Sequence, residues 1–307
     1  MSLYTMPALT VTYAAESPFS IVEKDHTGEL RLLYNNRPIL VYTFAANQYK
    51  PYVKQLYTLS GENILADSPP DHLHHHGLMY AIAVNSTYFW QETPTTGIQK
   101  PIGPVSRQMG TTTGGLPQAS ITHEIYWLDK GGRDSTNPAN ALLVERRTLT
   151  VTVDEQDQEV SLQWDARFQV GDAASRVVLS GDNYNGLGMR FRKELDPFSK
   201  HSNSRSEPDL RTTAYDVSQG RWSAVTFSVP SHPFSVALFG DPANPQGDTH
   251  FFTMVKPFTY LSATQGIDTR PVEYSQGDTF NLRYLVTVYS EVKSSEFFHR
   301  RAARWKP

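Results

Sequence analysis

Apolar and polar residues alternate along many short segments of the chain. Residues 148–153 read Thr-Leu-Thr-Val-Thr-Val, which is close to a strict period of two. This alternation is typical of a β-strand that buries one face and exposes the other. The same pattern predicts strands at residues 29–34, 37–44, 143–153, 159–170, 222–229 and 280–289.

Turn residues separate these segments, and helical periodicity is weak. Asn35-Asn36 and Gln276-Gly277-Asp278 are typical hairpin turns, and only residues 294–305 predict a helix. Short strands at intervals of about 8–12 residues, with few crossover helices, favour antiparallel sheets. We therefore predict an all-β fold, a large antiparallel β-sandwich that forms one domain over residues 1–307. Long loops are expected near residues 93–118 and 196–207.

Composition excludes several classes of function. The net charge of the 307 residues is -3, and no concentrated basic surface is visible, so nucleic acid is not an expected partner. The chain has no cysteine, which excludes disulfides and thiolate catalysis. No segment is apolar enough to predict a membrane span, and no signal peptide is visible. These features predict a cytoplasmic protein, either a monomer or a homodimer.

The densest chemical signal is Asp71-His72-Leu73-His74-His75-His76-Gly77, which holds four of the ten histidines. Imidazole transfers protons near neutral pH and is the commonest metal ligand. If this segment is extended, His72, His74 and His76 share one face. A buried strand at residues 78–85 could then return Glu92 towards them. His72, His74 and Glu92 are therefore candidate ligands for a divalent metal such as Zn, Mn, Fe or Cu. A solvated loop is the alternative.

Polar residues elsewhere suggest ligand contacts. Arg190 and Arg192 should share one face of a strand, where a guanidinium could hold a carboxylate or form an inert ion pair. Asp241 and Asn244 follow a predicted strand and could orient a sugar hydroxyl, although turn chemistry alone explains both. Trp90 could be a stacking platform or a core residue.

Several motifs together resemble a known family. They include Lys50-Pro51-Tyr52, Asp71-His72-x-His74-His75-x-Gly77-Leu78, Phe89-Trp90-x-Glu92 and Tyr184-x-Gly186-Leu187-Gly188-x-Arg190. On these residues the chain resembles the PmoA-like family of uncharacterised bacterial proteins. His76 and Met79 depart from that pattern, which has an arginine and an aromatic residue there.

The resemblance implies a β-sandwich of the galactose mutarotase kind, a supersandwich. It also implies a role in carbohydrate breakdown. The family's methane-oxygenase label is not adopted, because the methane-oxidising enzyme is a membrane protein.

The leading hypothesis is an enzyme acting on a sugar or an oxidised sugar derivative, of the epimerase, lyase or hydratase type. His72 and His74 would be general base and acid, or metal ligands; His75 and Glu92 would complete the site. Arg190 would hold a carboxylate or stabilise an oxyanion. The predicted substrate contacts are Trp90, Tyr52, Arg192, Asp241 and Asn244. The alternatives are a non-catalytic carbohydrate-binding or sensing protein and a metal-dependent oxygenase.

Overall fold

The computed structural model of the protein describes residues 17–24, 27–205 and 213–307. Within these residues the chain forms strands joined by short turns, two 3₁₀ helices (Pro138–Asn140 and Lys193–Phe198) and one α-helix, α1 (Ser295–Arg304). The strands, in chain order, are β1 (Phe19–Lys24), β2 (Glu29–Tyr34), β3 (Arg37–Thr43), β4 (Tyr52–Leu56), β5 (Leu78–Ala81), β6 (Ala83–Val84), β7 (Thr87–Tyr88), β8 (Ile98–Thr111), β9 (Pro117–Leu128), β10 (Leu143–Asp154), β11 (Glu159–Val170), β12 (Arg176–Ser180), β13 (Gly186–Arg190), β14 (Ser199–Asn203), β15 (Tyr215–Gly220), β16 (Trp222–Phe227), β17 (Phe234–Gly240), β18 (Thr249–Met254), β19 (Tyr260–Thr264), β20 (Val272–Ser275) and β21 (Thr279–Tyr289).

The strands pair antiparallel in three sheets. A nine-stranded sheet has the order β1-β2-β3-β4-β5-β13-β19-β18-β15. An eight-stranded sheet has the order β14-β16-β17-β21-β11-β10-β9-β8, and a four-stranded sheet has the order β20-β12-β6-β7. One hydrophobic cluster contains Val53 and Leu78 of the nine-stranded sheet together with Ile125 and Trp164 of the eight-stranded sheet. The two large sheets therefore bury their apolar faces against each other, as a β-sandwich does.

The predicted all-β antiparallel sandwich is confirmed. Strands β2 and β11 have the predicted bounds, and β10 alternates between buried and less buried residues along its length. The predicted C-terminal helix is also present. Helix α1 is capped by Ser294, whose side chain accepts a hydrogen bond from the backbone N–H of Phe297, and it packs Phe298 against Trp222.

The predicted loop at residues 93–118 is wrong over most of its length. Strand β8 occupies Ile98–Thr111 and pairs with β9, with an irregularity between Ile102 and Ser106. The prolines in this segment predicted a loop. Strand β8 is, however, the edge of its sheet, and an edge strand tolerates proline because one side of its backbone has no partner strand.

The predicted loop at 196–207 is also partly wrong, because β14 lies within it and pairs with β16. Residues 206 and 207 lie outside the described residues. No helix in the described part of the chain is long and apolar enough to cross a membrane.

Candidate functional site

The histidine-rich segment is a pair of tight turns, so the extended conformation that would place His72, His74 and His76 on one face is not adopted. The backbone N–H of His72 donates to the carbonyl of Pro69, and that of His75 donates to the carbonyl of His72, both at 2.9 Å. The turns change which histidines face the same way. His72, His74 and His75 line one pocket, and His76 points into a separate cluster of charged groups.

This pocket, called the histidine pocket below, has a volume of about 480 Å³. Its walls are mainly aromatic and come from the histidine turns, from the segments around Trp90 and Tyr184, and from strands β15, β18 and β19. The lining residues are His72, His74, His75, Trp90, Gln91, Asn183, Tyr184, Tyr215, Phe252, Met254, Pro257, Phe258 and Tyr260. None of these is an aspartate or a glutamate. A larger depression of about 810 Å³, lined by residues that include Tyr34, Arg37 and Glu155, contains no histidine.

His75 lies at the buried base of the pocket. Its ring stacks on His72, with centroids 4.6 Å apart, and packs edge-on against Trp90 at 5.9 Å. Burial, together with the neighbouring His74 and His72, lowers the pKa of His75 to about 3. Its Nδ1 is buried and has no hydrogen-bond partner among the described residues. His75 is therefore neutral at physiological pH.

His72 is oriented by a chain of polar contacts that begins behind the pocket. Arg190 donates from Nη2 to Asp71 Oδ2 at 2.7 Å, and the same carboxylate oxygen lies 3.0 Å from His72 Nδ1. Burial alone would raise the pKa of Asp71, but hydrogen bonds from His72 and Arg190 outweigh it and lower the pKa to about 2. The ionised carboxylate favours the proton on His72 Nδ1 and leaves Nε2 free to accept another.

Arg190 therefore acts through Asp71 and His72. Its side chain is only 2% exposed, and its guanidinium carbon lies 3.2 Å from the centre of the Phe258 ring. Phe258 lines the pocket and Arg190 does not. The predicted role of Arg190 in holding a substrate carboxylate finds no support in this placement.

His76 belongs to a second group of charged side chains, called the ion-pair cluster below. It comprises Lys50, Asp67, His76 and Glu92. His76 Nδ1 lies 2.8 Å from Asp67 Oδ1, and Nε2 lies 2.9 Å from Glu92 Oε1. Burial favours the neutral ring, but the hydrogen bonds to Asp67 and Glu92 outweigh it and raise the pKa of His76.

Lys50 completes the ion-pair cluster. Its ammonium is 1% exposed and donates to Glu92 Oε1 at 2.6 Å and to the carbonyl of Trp90 at 3.0 Å. The neighbouring Pro51 carbonyl accepts a hydrogen bond from Arg147 at 2.8 Å, and Arg147 is itself paired with Glu145 in the core. The buried Arg147–Glu145 pair thus fixes the backbone beside the ion-pair cluster.

The structure separates the remaining predicted residues. Glu92 contacts His76 and Lys50 and does not join His72 and His74, so the predicted metal-ligand set is not assembled. Among the described residues no group of three or more His, Asp or Glu side chains is placed to hold a metal ion. Trp90 lines the histidine pocket and is also a core residue, at 2% exposure, so both of its predicted roles remain compatible with its position and its contact with a substrate stays a prediction. Tyr52 instead stacks on His76, with ring centroids 4.2 Å apart.

Three predicted substrate contacts lie elsewhere. Arg192 pairs with Glu62 and Glu194, which is the inert ion pairing that the sequence left open. Asn244 Nδ2 donates to the Arg283 carbonyl, and Asp241 Oδ1 accepts from the backbone N–H of Ala243. Turn chemistry explains the Asp241 contact, whereas Asn244 also accepts a hydrogen bond from the Arg283 N–H and so attaches its turn to β21. None of the three lines the histidine pocket.

Sequence reasoning missed two parts of the site. Lys50 and Asp67 were not singled out, although a lysine preceding Pro-Tyr and an aspartate shortly before the histidines are both visible in the sequence. The role of Gly188 in β13 was also missed. A Cβ at Gly188 would lie 1.8 Å from the Tyr260 hydroxyl, so the absent side chain makes room for Tyr260.

Comparison with protein families gives one match over most of the chain. The model of a family of unknown function (DUF6807) matches residues 29–302. The chain belongs to this family. The predicted membership of a PmoA-like family is corrected by this match, since DUF6807 is the family found and no PmoA-like family is. A search of curated proteins gives no match to this DUF6807 chain.

One solved structure shares the fold of the DUF6807 chain at low sequence identity, and others are similar over part of their length. The α-galactosidase AgaB of glycoside hydrolase family 36 from Geobacillus stearothermophilus superposes with a TM-score of 0.52 at 12% identity, over 89% of this chain and 41% of that enzyme. An α-galactosidase from Lactobacillus brevis gives a TM-score of 0.46 at 7% identity, over 90% and 40%. A glycoside hydrolase family 97 enzyme from Pseudoalteromonas sp. strain K8 gives 0.44 at 7%, over 89% and 34%. The chain spans less than half the length of each.

Proposed function

We propose that this protein binds a carbohydrate in the histidine pocket and catalyses proton transfer on it. The observation that carries the proposal is the oriented pair Asp71–His72 at the wall of an aromatic pocket, with His72 Nε2 unoccupied among the described residues. Aromatic faces are suited to the apolar faces of sugar rings, and the amides of Gln91 and Asn183 can bond hydroxyls. The fold shared with an α-galactosidase is in keeping with a carbohydrate ligand.

The proposed chemistry is abstraction of a proton from a carbon next to a carbonyl, as in an epimerase, a lyase or a hydratase. His72 Nε2 takes the proton, and the electron pair of the broken C–H bond moves onto the carbonyl oxygen. The protonated His72 then returns a proton to the enolate. His74 lies beside His72, with ring centroids 5.9 Å apart, and its neutral ring can donate an N–H hydrogen bond to the carbonyl oxygen. Burial, with Lys50 and His72, lowers the pKa of His74, which keeps its ring neutral at physiological pH.

Hydrolysis by two carboxylates is not the reaction that this pocket supports. Most glycosidases place two Asp or Glu side chains on either side of the scissile bond. The lining of the histidine pocket contains neither. The proposal therefore rests on the histidines and takes only the fold from the galactosidase comparison.

Exchange of sugar protons with solvent tests the proposal. The protein is incubated in D₂O with a panel of ketoses, uronic acids and aldonolactones, and deuterium incorporation next to the carbonyl is followed by NMR. We expect exchange with at least one sugar and a loss of about 100-fold or more in the His72→Ala variant. His232→Ala, which removes a half-exposed histidine outside the pocket, is the matched control. Equal exchange rates in the parent and His72→Ala would contradict the proposal.

A second candidate is a non-catalytic carbohydrate-binding or sensing protein. The aromatic residues of the lining favour this candidate, because sugar binding needs aromatic rings to stack on and does not need proton transfer. Sugar binding without exchange, unchanged by His72→Ala, would establish this candidate.

A divalent metal stays a prediction from the sequence. His72 and His74 are the two neighbouring donors available to it, and elemental analysis of untagged protein against the His72→Ala, His74→Ala double variant tests it.

A further inference from the structure

The aromatic surface of the histidine pocket extends from its buried floor to its rim. Tyr260 is 3% exposed and lies at the floor, 6.2 Å from the ring centre of Phe252. Phe252 is 5% exposed and stacks on Tyr215, with centroids 5.1 Å apart and planes inclined by 22°. Tyr215 is 48% exposed. Three rings in contact thus lead from the interior to solvent.

Tyr215 is unusual among the exposed large side chains because it also lines a pocket. It lies at the start of β15, which is the edge of the nine-stranded sheet, so no further strand covers it in the described part of the chain. The next residue on the same face, Val217, is 40% exposed and is not part of the lining. An exposed tyrosine ring that is already supported by a buried phenylalanine is a rigid platform for a ligand ring.

The histidines and Tyr215 therefore mark two different depths. His75 and the floor residues Trp90 and Tyr260 are nearly fully buried, at 7%, 2% and 3% exposure. Two ring-to-ring contacts through Phe252, of 6.2 and 5.1 Å between centroids, separate Tyr260 at the floor from Tyr215 at the rim. The pocket thus offers one aromatic surface beside the histidines and a second at its mouth.

We propose that the ligand is a glycoside with at least two rings, in which one ring lies beside the histidines and the next stacks on Tyr215. This inference rests on the proposed carbohydrate function and names the class of substrate within it. The amide of Asn183 and the hydroxyl of Tyr184, which donates to Asp182 at 3.0 Å, provide polar groups near the outer ring.

Calorimetry with matched sugars tests the inference. The probes are methyl glycosides of galacturonic acid, glucuronic acid and mannuronic acid, which carry a C–H next to a carboxyl group, each paired with a disaccharide that has the same uronic acid at its non-reducing end. We expect one disaccharide to bind more tightly than its methyl glycoside by about tenfold, in line with the contribution of one aromatic stacking contact. Tyr215→Ala should remove that difference, because it should weaken disaccharide binding more than methyl glycoside binding. Tyr215→Phe, which keeps the ring, should behave as the parent.

Val217→Ala is the matched control, since it removes exposed apolar surface from the same face of the same strand. Equal binding of the methyl glycoside and the disaccharide, with no effect of Tyr215→Ala, overturns the two-ring inference and leaves the proposed function standing. A parent protein that binds no sugar of either length overturns both. A disaccharide preference that Tyr215→Ala leaves intact also overturns the role given to Tyr215.

Discussion

His75 and His76 are adjacent in sequence and equally buried, at 7% exposure each, yet their rings lie in opposite electrostatic environments. His75 packs among aromatic rings, and its pKa is lowered to about 3. His76 lies between two carboxylates, and its pKa is raised. Burial favours the neutral form of both rings, so the hydrogen-bond partners decide the difference.

The comparison assigns different roles to the two regions. In the histidine pocket the pKa values of His74 and His75 are lowered, and His72 Nε2 has no hydrogen-bond partner among the described residues, which suits proton transfer or ligand binding. The ion-pair cluster uses both nitrogens of His76 within the protein. His76 therefore fixes the end of the turns that carry His72, His74 and His75, and the site depends on a histidine that does not enter it.

The largest effect is expected from breaking the ion-pair cluster. Glu92→Gln leaves the buried ammonium of Lys50 without its carboxylate and should lower the free energy of unfolding by about 3–5 kcal/mol. Urea denaturation measures this change. Glu291→Gln removes a surface partner of Lys293 and should cost less than about 1 kcal/mol. Equal losses in the two variants would show that the cluster contributes no more than a surface pair.

The next effect concerns His75 and appears on the acid side. A histidine with a lowered pKa contributes stability that is present above its unfolded pKa of about 6.5 and is lost as the pH falls towards 3. Between pH 7 and pH 5 the parent should lose about 2 kcal/mol that His75→Phe does not lose. Phenylalanine is a suitable replacement because His75 Nδ1 has no partner to lose. Parallel pH curves for the parent and the variant would contradict the lowered pKa.

The smallest effect concerns His76 and has the opposite sign. A raised pKa contributes stability that is fully present below pH 6.5 and is lost as the pH rises through the folded-state value. His76→Arg keeps a permanent charge between Asp67 and Glu92, so its stability should not fall over that range. The effect is measured as the difference between the urea denaturation midpoints of the parent and His76→Arg, determined at increasing pH from pH 6.5. A parent ring that NMR shows to lose its proton below pH 6.5 would refute it.

The sandwich could be predicted because period-two alternation reports which face of a strand is buried. Strands β2 and β11 were predicted residue for residue on that basis. Strand β8 could not be, since Pro101 and Pro104 conceal a strand whose pairing partner is supplied by β9. The local pattern of apolar and polar residues does not predict a strand whose formation depends on pairing with a distant segment.

The sequence predicted which segment forms the site, but it did not predict how the side chains of that segment are arranged. The sequence identified the histidines and Trp90, but it placed His76 with His72 and His74 by assuming an extended backbone. Hydrogen bonds from His72 and His75 back to Pro69 and His72 turn the chain instead. The sequence predicted that Glu92 returns towards the histidines, and it does, but it meets His76, 16 residues away, and not His72 and His74, because the turn separates them.

Gly188 has a consequence for redesign of the pocket. Its missing Cβ leaves the space that the Tyr260 hydroxyl occupies, and Gly188 itself does not line the pocket. Any side chain placed there would push the ring of Tyr260 from its position on the floor. Substitution of Gly188 would thus change the depth of the histidine pocket, although Gly188 does not contact the ligand.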